Sequence, residues 1–457
     1  MAEITELLAE IVGAEHVATG DAVSPDYAHD EALTASPRMP LAVVRPSCTA
    51  EVAGVLRLCD ELHLPVTARG SGTGLSGAAI PAGDGLLLSF ERMDRILEID
   101  LDNHVAVVEP GVTLDELNAA AAEVGLVYPV SPGETSASLG GNVSTNAGGM
   151  RAIKYGVTRH HVLGLEAVLA GGEVIRTGGK YVKTSTGYDL TQLIVGSEGT
   201  LAFVTEVTLK LQPRPEHAAT VLAPFSTLEQ VTVAVPRIVA HGVGPVILEY
   251  VDLVTMAAIT ANVGLDLGIP EHVRQEALAY LVIVLESAHD DRLEADVASL
   301  GELLVDLGAV DVYVLPPHAA GQLIGAREKA FFVAKAAGCD DIVDVVVPRA
   351  AVAVYMEAVA AVAEAHGALV TGCGHVGDGN VHLSVFQPDP ARRGDVLRAL
   401  FRAGMDLGGA ISGEHGIGTE KKAYFHELED PVKIGLMRAI KRAFDPNGIL
   451  GPGTLLD

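Results

Sequence analysis

The sequence predicts an α+β fold in which short apolar strands alternate with amphipathic helices. Residues 50–62 place their apolar side chains at helical spacing. Apolar runs of strand length, bounded by Gly, Asp or Pro, occur at Leu86–Phe90 and Val105–Val108. Gly171-Gly172, between two apolar segments, predicts a hairpin and therefore antiparallel pairing. The alternation continues with helices at 111–127 and 351–365 and strands at 282–285 and 310–315.

Composition and charge restrict the class of function. Lys+Arg 31 against Asp+Glu 59 gives a net charge of −28, which opposes a nucleic-acid partner because phosphate binding needs a cationic surface. The four cysteines form no C-x-x-C pair, so neither a local zinc ribbon nor an iron–sulfur cluster is expected. The acidic N-terminus and the lack of a long apolar run predict a cytoplasmic protein, with peripheral membrane association left open.

The first of three glycine-rich stretches follows a predicted strand. Gly72, Gly74 and Gly77 fit G-x-G-x-x-G, but Pro81 and two further glycines would break the helix that a Rossmann fold requires there. Consecutive backbone N–H groups can still bind an anion without a helix. Donor side chains stand among these glycines: Arg69, Ser71 and Thr73.

Two more stretches extend the pattern. Residues 131–149 are small and polar for almost twenty positions, which suits close approach of the backbone to a ligand rather than burial of apolar surface. Residues 196–200 form a third glycine-rich loop before the strand 201–204. A single loop of this kind is usually a turn. Three in one region, with little charge, indicate a large dinucleotide.

These motifs, in this order and together with Gly187–Leu190, resemble the FAD domain of the vanillyl-alcohol oxidase superfamily. Within it the chain is most similar to the family of FAD-linked D-lactate dehydrogenases and glycolate oxidases. The resemblance implies a two-lobed PCMH-type FAD-binding domain at 1–212 and an α+β substrate (cap) domain with a mostly antiparallel sheet at 213–425. A C-terminal segment, 426–457, would return to the FAD domain.

The resemblance also implies a set of cofactor contacts. Gly70–Gly74 would hold the pyrophosphate, and Val204 would lie near the adenine end. Leu75-Ser76 stands where covalently flavinylated members usually carry His, so non-covalent FAD is expected. The full set expected to contact FAD is Arg69, Gly70, Ser71, Gly72, Thr73, Gly74, Pro132, Gly133, Thr135, Ser138, Gly141, Asn142, Ser144, Glu198 and Val204.

A second motif, at residues 374–382, carries two histidines. Asp378-Gly379 predicts a two-residue hairpin turn, in which His375 would lie directly opposite His382 with Cβ atoms ~5 Å apart. The alternative is that each histidine is merely hydrogen-bonded in a glycine-rich turn. Glu414 adds a carboxylate, and two His with one carboxylate form a plausible catalytic set for Zn²⁺, Mn²⁺ or Fe²⁺.

The family resemblance assigns roles around this motif. It implies His375, His382 and Glu414 as ligands of a divalent metal, and His415 as the catalytic base. Asn380 would orient the substrate, and Arg327 would bind the substrate carboxylate. From the residues alone, an exposed helical Arg327 without a functional role is an equal alternative.

The implied function is FAD-dependent, metal-assisted oxidation of a small D-2-hydroxy acid, of the D-lactate or glycolate type, to the 2-oxo acid. Ile342 stands where relatives acting on D-2-hydroxyglutarate carry a lysine, which favours a monocarboxylate. Thr454 departs from the lysine that the family usually carries in that loop.

Several alternatives stay open at this point. They are a D-2-hydroxyglutarate-type dehydrogenase, a metallohydrolase and a non-catalytic flavin-binding subunit. The electron acceptor is unassigned among oxygen, quinone, cytochrome and a partner subunit, and a homodimer is allowed.

Overall fold

Two β-sheets form in the first half of the chain in the computed structural model, which describes residues 2–456. The first sheet contains β1 (Val17–Thr19), β2 (Ala42–Val44), β3 (Val66–Arg69) and β4 (Leu86–Ser89). Its order is β1-β2-β4-β3, with β4 parallel to both β2 and β3. Ile449 and Leu450, from the end of the chain, pack into the core beneath it, and the Val66 N–H donates to the Ile449 carbonyl.

The second sheet is antiparallel and has the order β5-β6-β10-β8-β9. Its strands, with the small separate strand β7, are β5 (Ile96–Asp100), β6 (Val105–Val108), β7 (Leu126–Val127), β8 (Val162–Val168), β9 (Val174–Gly178) and β10 (Phe203–Lys210). The predicted hairpin is confirmed, since β8 pairs with β9 across the Gly171-Gly172 region.

A seven-stranded sheet dominates the second half, and all of its pairs are antiparallel, as predicted. After β11 (Gln212–Pro213), which pairs with β7, come β12 (His217–Phe225), β13 (Ile247–Asp252), β14 (Ala279–Ser287), β15 (Tyr313–Leu315), β16 (Asp341–Val346), β17 (Leu369–His375) and β18 (Asn380–Phe386). The order is β15-β12-β14-β13-β17-β18-β16, so the chain crosses over between strands that are not consecutive.

The α-helices lie between and against these sheets. They are α1 (Ala2–Val12), α2 (Thr49–Leu62), α3 (Leu114–Glu123), α4 (Leu139–Thr145), α5 (Ala152–Tyr155), α6 (Leu190–Ile194), α7 (Leu228–His241), α8 (Leu253–Val263), α9 (Glu271–Glu276), α10 (Asp290–Asp306), α11 (Pro317–Glu328), α12 (Ala330–Ala336), α13 (Val352–His366), α14 (Pro390–Asp406), α15 (Lys422–Leu428) and α16 (Pro431–Phe444). Within residues 2–456, every helix is too short or too polar to cross a bilayer.

The observed helices agree with the sequence in part. The helices predicted at 50–62 and 351–365 are α2 and α13. The helix predicted at 111–127 is shorter, because Gly125 adopts a positive φ of 74° and the chain then turns into β7. Residues 131–149 contain α4, which was not predicted, because its small residues gave no apolar periodicity. Residues 70–85 contain no helix, in agreement with the rejection of a Rossmann turn.

Candidate active site

Polar side chains gather on one face of four adjacent strands of the seven-stranded sheet. Along β13, β17, β18 and β16, alternate residues such as Tyr250, Val343 and Val381 pack into the largest hydrophobic core. The intervening residues point to the opposite face. They include Glu249, Cys373, His375, Asn380, His382 and Asp344. The strand period of two therefore concentrates titratable groups on one surface.

The hairpin register differs from the prediction. His375 pairs with Asn380, and His382 pairs with Cys373, because the turn holds four residues, Val376–Gly379, rather than two. The predicted direct opposition of the two histidines is therefore wrong. The pairing is displaced by two residues, which keeps both imidazoles on the same face. Their ring centroids lie 4.7 Å apart.

Glu414 completes a cluster of three possible metal ligands. Its Oε1 lies 3.3 Å from His375 Nε2 and 3.2 Å from His382 Nε2, and the three ligand atoms all lie within 4.8 Å of one another. His382 Nε2 is buried, and the Glu414 carboxylate lies beside it. The pKa of His375 is raised to about 10, because the carboxylates of Glu249 and Glu414 outweigh the opposing effect of burial. The cluster therefore favours a positive charge at its centre.

Glu249 lies behind His375 and is fully buried. Its Oε1 is 2.5 Å from His375 Nδ1, and its Oε2 is 2.7 Å from Arg327 Nη2. A carboxylate at Nδ1 fixes the ring and leaves Nε2 directed at Glu414, which is the arrangement that metal-binding histidines commonly show. The prediction from sequence missed this residue, although a carboxylate inside the apolar strand Ile247–Val251 is an available signal.

Asp344 holds the loop that carries Glu414 and His415. Its Oδ2 accepts hydrogen bonds from Ser412 Oγ and from the backbone N–H groups of residues 413, 414 and 415, at 2.7–3.1 Å. Burial opposes its ionisation, but His415, His382 and Lys421 hold the pKa of Asp344 below its usual range. This residue was also missed, although a carboxylate within the apolar run Ile342–Val347 is an available signal.

His415 stacks on His382, with ring centroids 5.1 Å apart. Its Nδ1 is buried, lies 3.9 Å from Asp344 Oδ2 and has no hydrogen-bond partner among the described residues. Burial lowers the pKa of His415 to about 4. The imidazole is therefore neutral at physiological pH and able to accept a proton.

Arg327 and Asn380 occupy different surroundings. Arg327 is only 7% exposed and lines a cavity beside the cluster, so the alternative of an exposed helical arginine is wrong. Asn380 donates from Nδ2 to Asp344 Oδ1 at 2.8 Å and to the Val345 carbonyl at 3.1 Å. Asn380 lines neither this cavity nor the cavity enclosed by the glycine-rich loops. Its amide therefore contacts Asp344, which holds the Glu414 loop, and faces neither open space.

The glycine-rich loops enclose a cavity of about 210 Å³. Gly70 approaches α4 so closely that a Cβ there would lie 1.9 Å from Ser138 Oγ. Asn142 Nδ2, on the same helix, is buried without a hydrogen-bond partner among the described residues. Most of the predicted cofactor residues line this cavity: Gly70, Ser71, Gly72, Thr73, Gly74, Pro132, Ser138, Gly141, Asn142, Ser144, Glu198 and Val204.

Three predicted cofactor residues direct their polar groups elsewhere. The Arg69 guanidinium donates to the carbonyls of Asp26 and His29, because its side chain leaves β3 on the side opposite to Ala68, which lines the cavity. Thr135 Oγ1 donates to Asp115 Oδ2 at 2.7 Å. Neither of these two side chains lines the cavity, and contact of either with the cofactor stays a prediction.

Glu198 is the third predicted cofactor residue whose polar group is engaged elsewhere. It lines the cavity, but its carboxylate accepts the N–H groups of Ile417 and Gly418 at 2.9 and 2.7 Å. It therefore ties a glycine-rich loop of the first half to the loop that carries Glu414.

A second cavity, of about 480 Å³, adjoins the first and is lined by Gly133, Arg327 and the histidine cluster. Six residues line both cavities: Thr73, Leu75, Pro132, Glu134, Glu414 and His415. The histidine cluster and the glycine-rich loops thus line two adjoining cavities, and Glu414 and His415 belong to the wall that both share.

Comparisons with known proteins agree with this arrangement. Residues 40–178 match the family described as FAD binding domain, and residues 214–455 match FAD linked oxidases, C-terminal domain. A 4-ethylphenol oxidase from Gulosibacter chungangensis shares the fold, with a TM-score of 0.80 and 20% identity over 100% of this chain and 97% of that one.

Relatives extend over nearly the whole chain. An uncharacterized FAD-linked oxidoreductase of Mycobacterium tuberculosis is 56% identical, covering 100% of this chain and 99% of that protein. A D-lactate dehydrogenase of Archaeoglobus fulgidus is 39% identical over 91% of each chain, and the glycolate oxidase subunit GlcD of Bacillus subtilis is 36% identical over 99% of this chain and 96% of that one. The chain therefore belongs to the family of FAD-linked oxidoreductases that includes D-lactate dehydrogenase and glycolate oxidase subunit GlcD.

Proposed function

We propose that this protein oxidises a D-2-hydroxy monocarboxylic acid to the 2-oxo acid, with FAD as hydride acceptor and a divalent metal at the histidine cluster. The observation that supports this most is the position of the cluster. A neutral histidine, a buried arginine and a convergent His₂–carboxylate set all line the same cavity, and that cavity adjoins the one formed by the glycine-rich loops.

The residues fit both groups. Small residues and the unpartnered amide of Asn142 suit FAD, which supplies hydride acceptance that side chains cannot provide. His375, His382 and Glu414 would hold the metal, with Nε2 of each histidine and Oε1 of Glu414 as the ligand atoms. A metal in this set supplies Lewis acidity that lowers the pKa of a bound hydroxyl group.

The protein's own groups would bind the substrate and move its proton. Arg327 Nε is buried and has no hydrogen-bond partner among the described residues, so it can donate to a substrate carboxylate. His415 lines the cavity and would accept the hydroxyl proton at Nε2. The Asp344 carboxylate beside Nδ1 would then stabilise the imidazolium.

The charges around the cavity favour a single carboxylate on the substrate. Among the described residues, Arg327 is the only Lys or Arg that lines either cavity. Ile342 is buried and lines the larger one, so the position offers no cation to a second carboxylate. Glu134 and Glu328 also line it and would repel one. The D-2-hydroxyglutarate alternative is thereby disfavoured.

Anaerobic mixing of the purified flavoprotein with D- and L-2-hydroxy acids tests the proposal. We expect D-2-hydroxy acids to bleach the flavin absorbance near 450 nm, and their L-enantiomers to leave it unchanged. A flavin that stays oxidised with every acid would contradict the proposal and favour a non-catalytic flavin-binding subunit. Acid precipitation in the same preparation is expected to release the flavin into the supernatant, as non-covalent binding requires.

A further inference from the structure

The larger cavity continues beyond the histidine cluster as an apolar cleft along β17 and β18. Its floor is a ladder of paired residues, in which Cys373 lies opposite His382, Thr371 opposite Ser384 and Leu369 opposite Phe386. Leu369 lies six positions before His375, which corresponds to about 20 Å along a strand. The floor thus changes from metal-binding to small polar to large apolar side chains.

Helices α8 and α12 cover this floor. Val254, Ala258 and Ile259 line the cleft from α8, and Phe331, Val333 and Ala334 line it from α12. The charged residues that line the larger cavity lie at its other end, around Arg327, Glu328 and the histidine cluster. Leu369 is 55% exposed and Phe332 is 42% exposed, so the far end of the cleft opens to solvent.

This cleft exceeds what a small substrate can cover. The carboxylate and hydroxyl of a 2-hydroxy acid would occupy Arg327 and the histidine cluster, which directs the substituent on Cα toward the open space that remains. D-Lactate carries only a methyl group there, and it would leave the apolar walls of α8 and α12 in contact with water. A longer chain would displace that water and gain about fourfold in affinity for each buried methylene.

We propose that the preferred substrate carries an apolar side chain of several carbons, which lies in the cleft between α8, α12 and the β17–β18 hairpin. This inference depends on the function proposed above, and it specifies the class of 2-hydroxy acid. It places lactate and glycolate among the poor substrates. The openness of the far end means that the chain length has no sharp upper limit within the cleft.

The test is the rate of anaerobic flavin reduction with D-lactate, D-2-hydroxybutyrate, D-2-hydroxyhexanoate and D-2-hydroxyoctanoate. We expect the second-order rate constant to rise along the series, by at least about 50-fold from D-lactate to D-2-hydroxyoctanoate. If D-lactate is as efficient as the longer acids, the inference is overturned while the proposed function stands. If no acid reduces the flavin, the proposed function fails, and the inference fails with it.

Variants of α12 give a matched comparison. Ala334→Phe places a ring in the cleft, whereas Ala336→Phe adds the same ring on the same helix at a position outside the lining. We expect Ala334→Phe to lower the ratio of the octanoate to the lactate rate constant at least tenfold, and Ala336→Phe to leave it unchanged. A slower reoxidation by a hydrophobic quinone in Ala334→Phe, with an unaltered ratio, would overturn the inference and assign the cleft to the electron acceptor.

Discussion

Replacement of Asp344 by Asn is expected to loosen the loop that carries Glu414 and His415. The Asp344 carboxylate accepts five hydrogen bonds, four of them at Oδ2 and one at Oδ1 from Asn380 Nδ2. An asparagine side chain offers one acceptor oxygen and one NH₂ group. If the asparagine oxygen takes the place of Oδ2, the new NH₂ group faces Asn380 Nδ2, which is also a donor. If the side chain is turned the other way, the NH₂ group faces the four donors that Oδ2 accepts in the wild type.

The size of the effect follows from this geometry. A buried donor without a partner costs about 1–3 kcal/mol, and loss of the charge roughly halves the strength of the remaining bonds. We expect the free energy of unfolding to fall by about 3–5 kcal/mol. Asp341→Asn, on the same strand, is the control. Burial raises the pKa of Asp341, so the folded protein tolerates a neutral side chain there, and a change below about 1 kcal/mol is expected.

Urea unfolding followed by circular dichroism measures the difference. At a slope of about 3 kcal/mol per molar, the midpoint for Asp344→Asn should fall by about 1 M or more. The midpoint for Asp341→Asn should stay near that of the wild type. Equal midpoints for the two variants would refute the argument that the carboxylate of Asp344 organises the loop.

Three further predictions concern the cofactor, the base and the metal. Gly70→Ala should lower the ratio of flavin to protein in the purified material at least fivefold, because its Cβ would lie 1.9 Å from Ser138 Oγ. Gly83→Ala is the control and should keep the flavin, since open space surrounds its Cβ. Equal flavin content in the two variants would contradict this interpretation of the loop. His415→Ala should slow anaerobic flavin reduction by at least about 10²-fold with the flavin content unchanged, and an unaltered rate would remove the role of His415 as base. A chelator should abolish reduction of the flavin by 2-hydroxy acids and leave the flavin bound, and addition of Zn²⁺ or Mn²⁺ should restore the reduction. In His382→Ala the added metal should not restore it. Flavin reduction that persists in the chelator would exclude a role for the metal.

The sequence carries enough information to bring the two histidines together, in spite of the wrong register. Strand alternation decides the face on which a side chain lies, and a displacement of two residues preserves that face. The predicted hairpin therefore places His375 and His382 correctly on one face of the sheet, although it pairs them with the wrong residues. The composition of the turn indicates where the chain reverses but not its length. In the structure Gly379 packs so closely against the carbonyl of Val347, a residue of a separate segment, that a Cβ would lie 2.0 Å from that oxygen.

Contacts between distant segments are what the sequence does not reveal. Glu249 and Asp344 reach the site because β13 and β16 lie on either side of the β17–β18 hairpin, and this order is not sequential. Each carboxylate interrupts an apolar strand, which marks it as unusual but does not identify its partner. For the same reason Arg69 resembles a phosphate ligand in a glycine-rich loop, whereas its hydrogen bonds go to a segment forty residues earlier.

The loop at residues 412–418 is held from both halves of the chain, and this explains why the two cavities meet there. Asp344, from the seven-stranded sheet, binds its first part, and Glu198, from the third glycine-rich stretch, accepts the N–H groups of Ile417 and Gly418. Glu414 and His415 line both cavities, and their own N–H groups are among those that Asp344 accepts, two to four residues before the Glu198 contacts. A displacement of one half relative to the other would therefore move a candidate metal ligand and the candidate base together. The distance between the cavity of the glycine-rich loops and the histidine cluster is thus set by two buried carboxylates. Asp344 accepts three backbone N–H groups and Glu198 accepts two, and loss of either carboxylate would leave these donors unsatisfied.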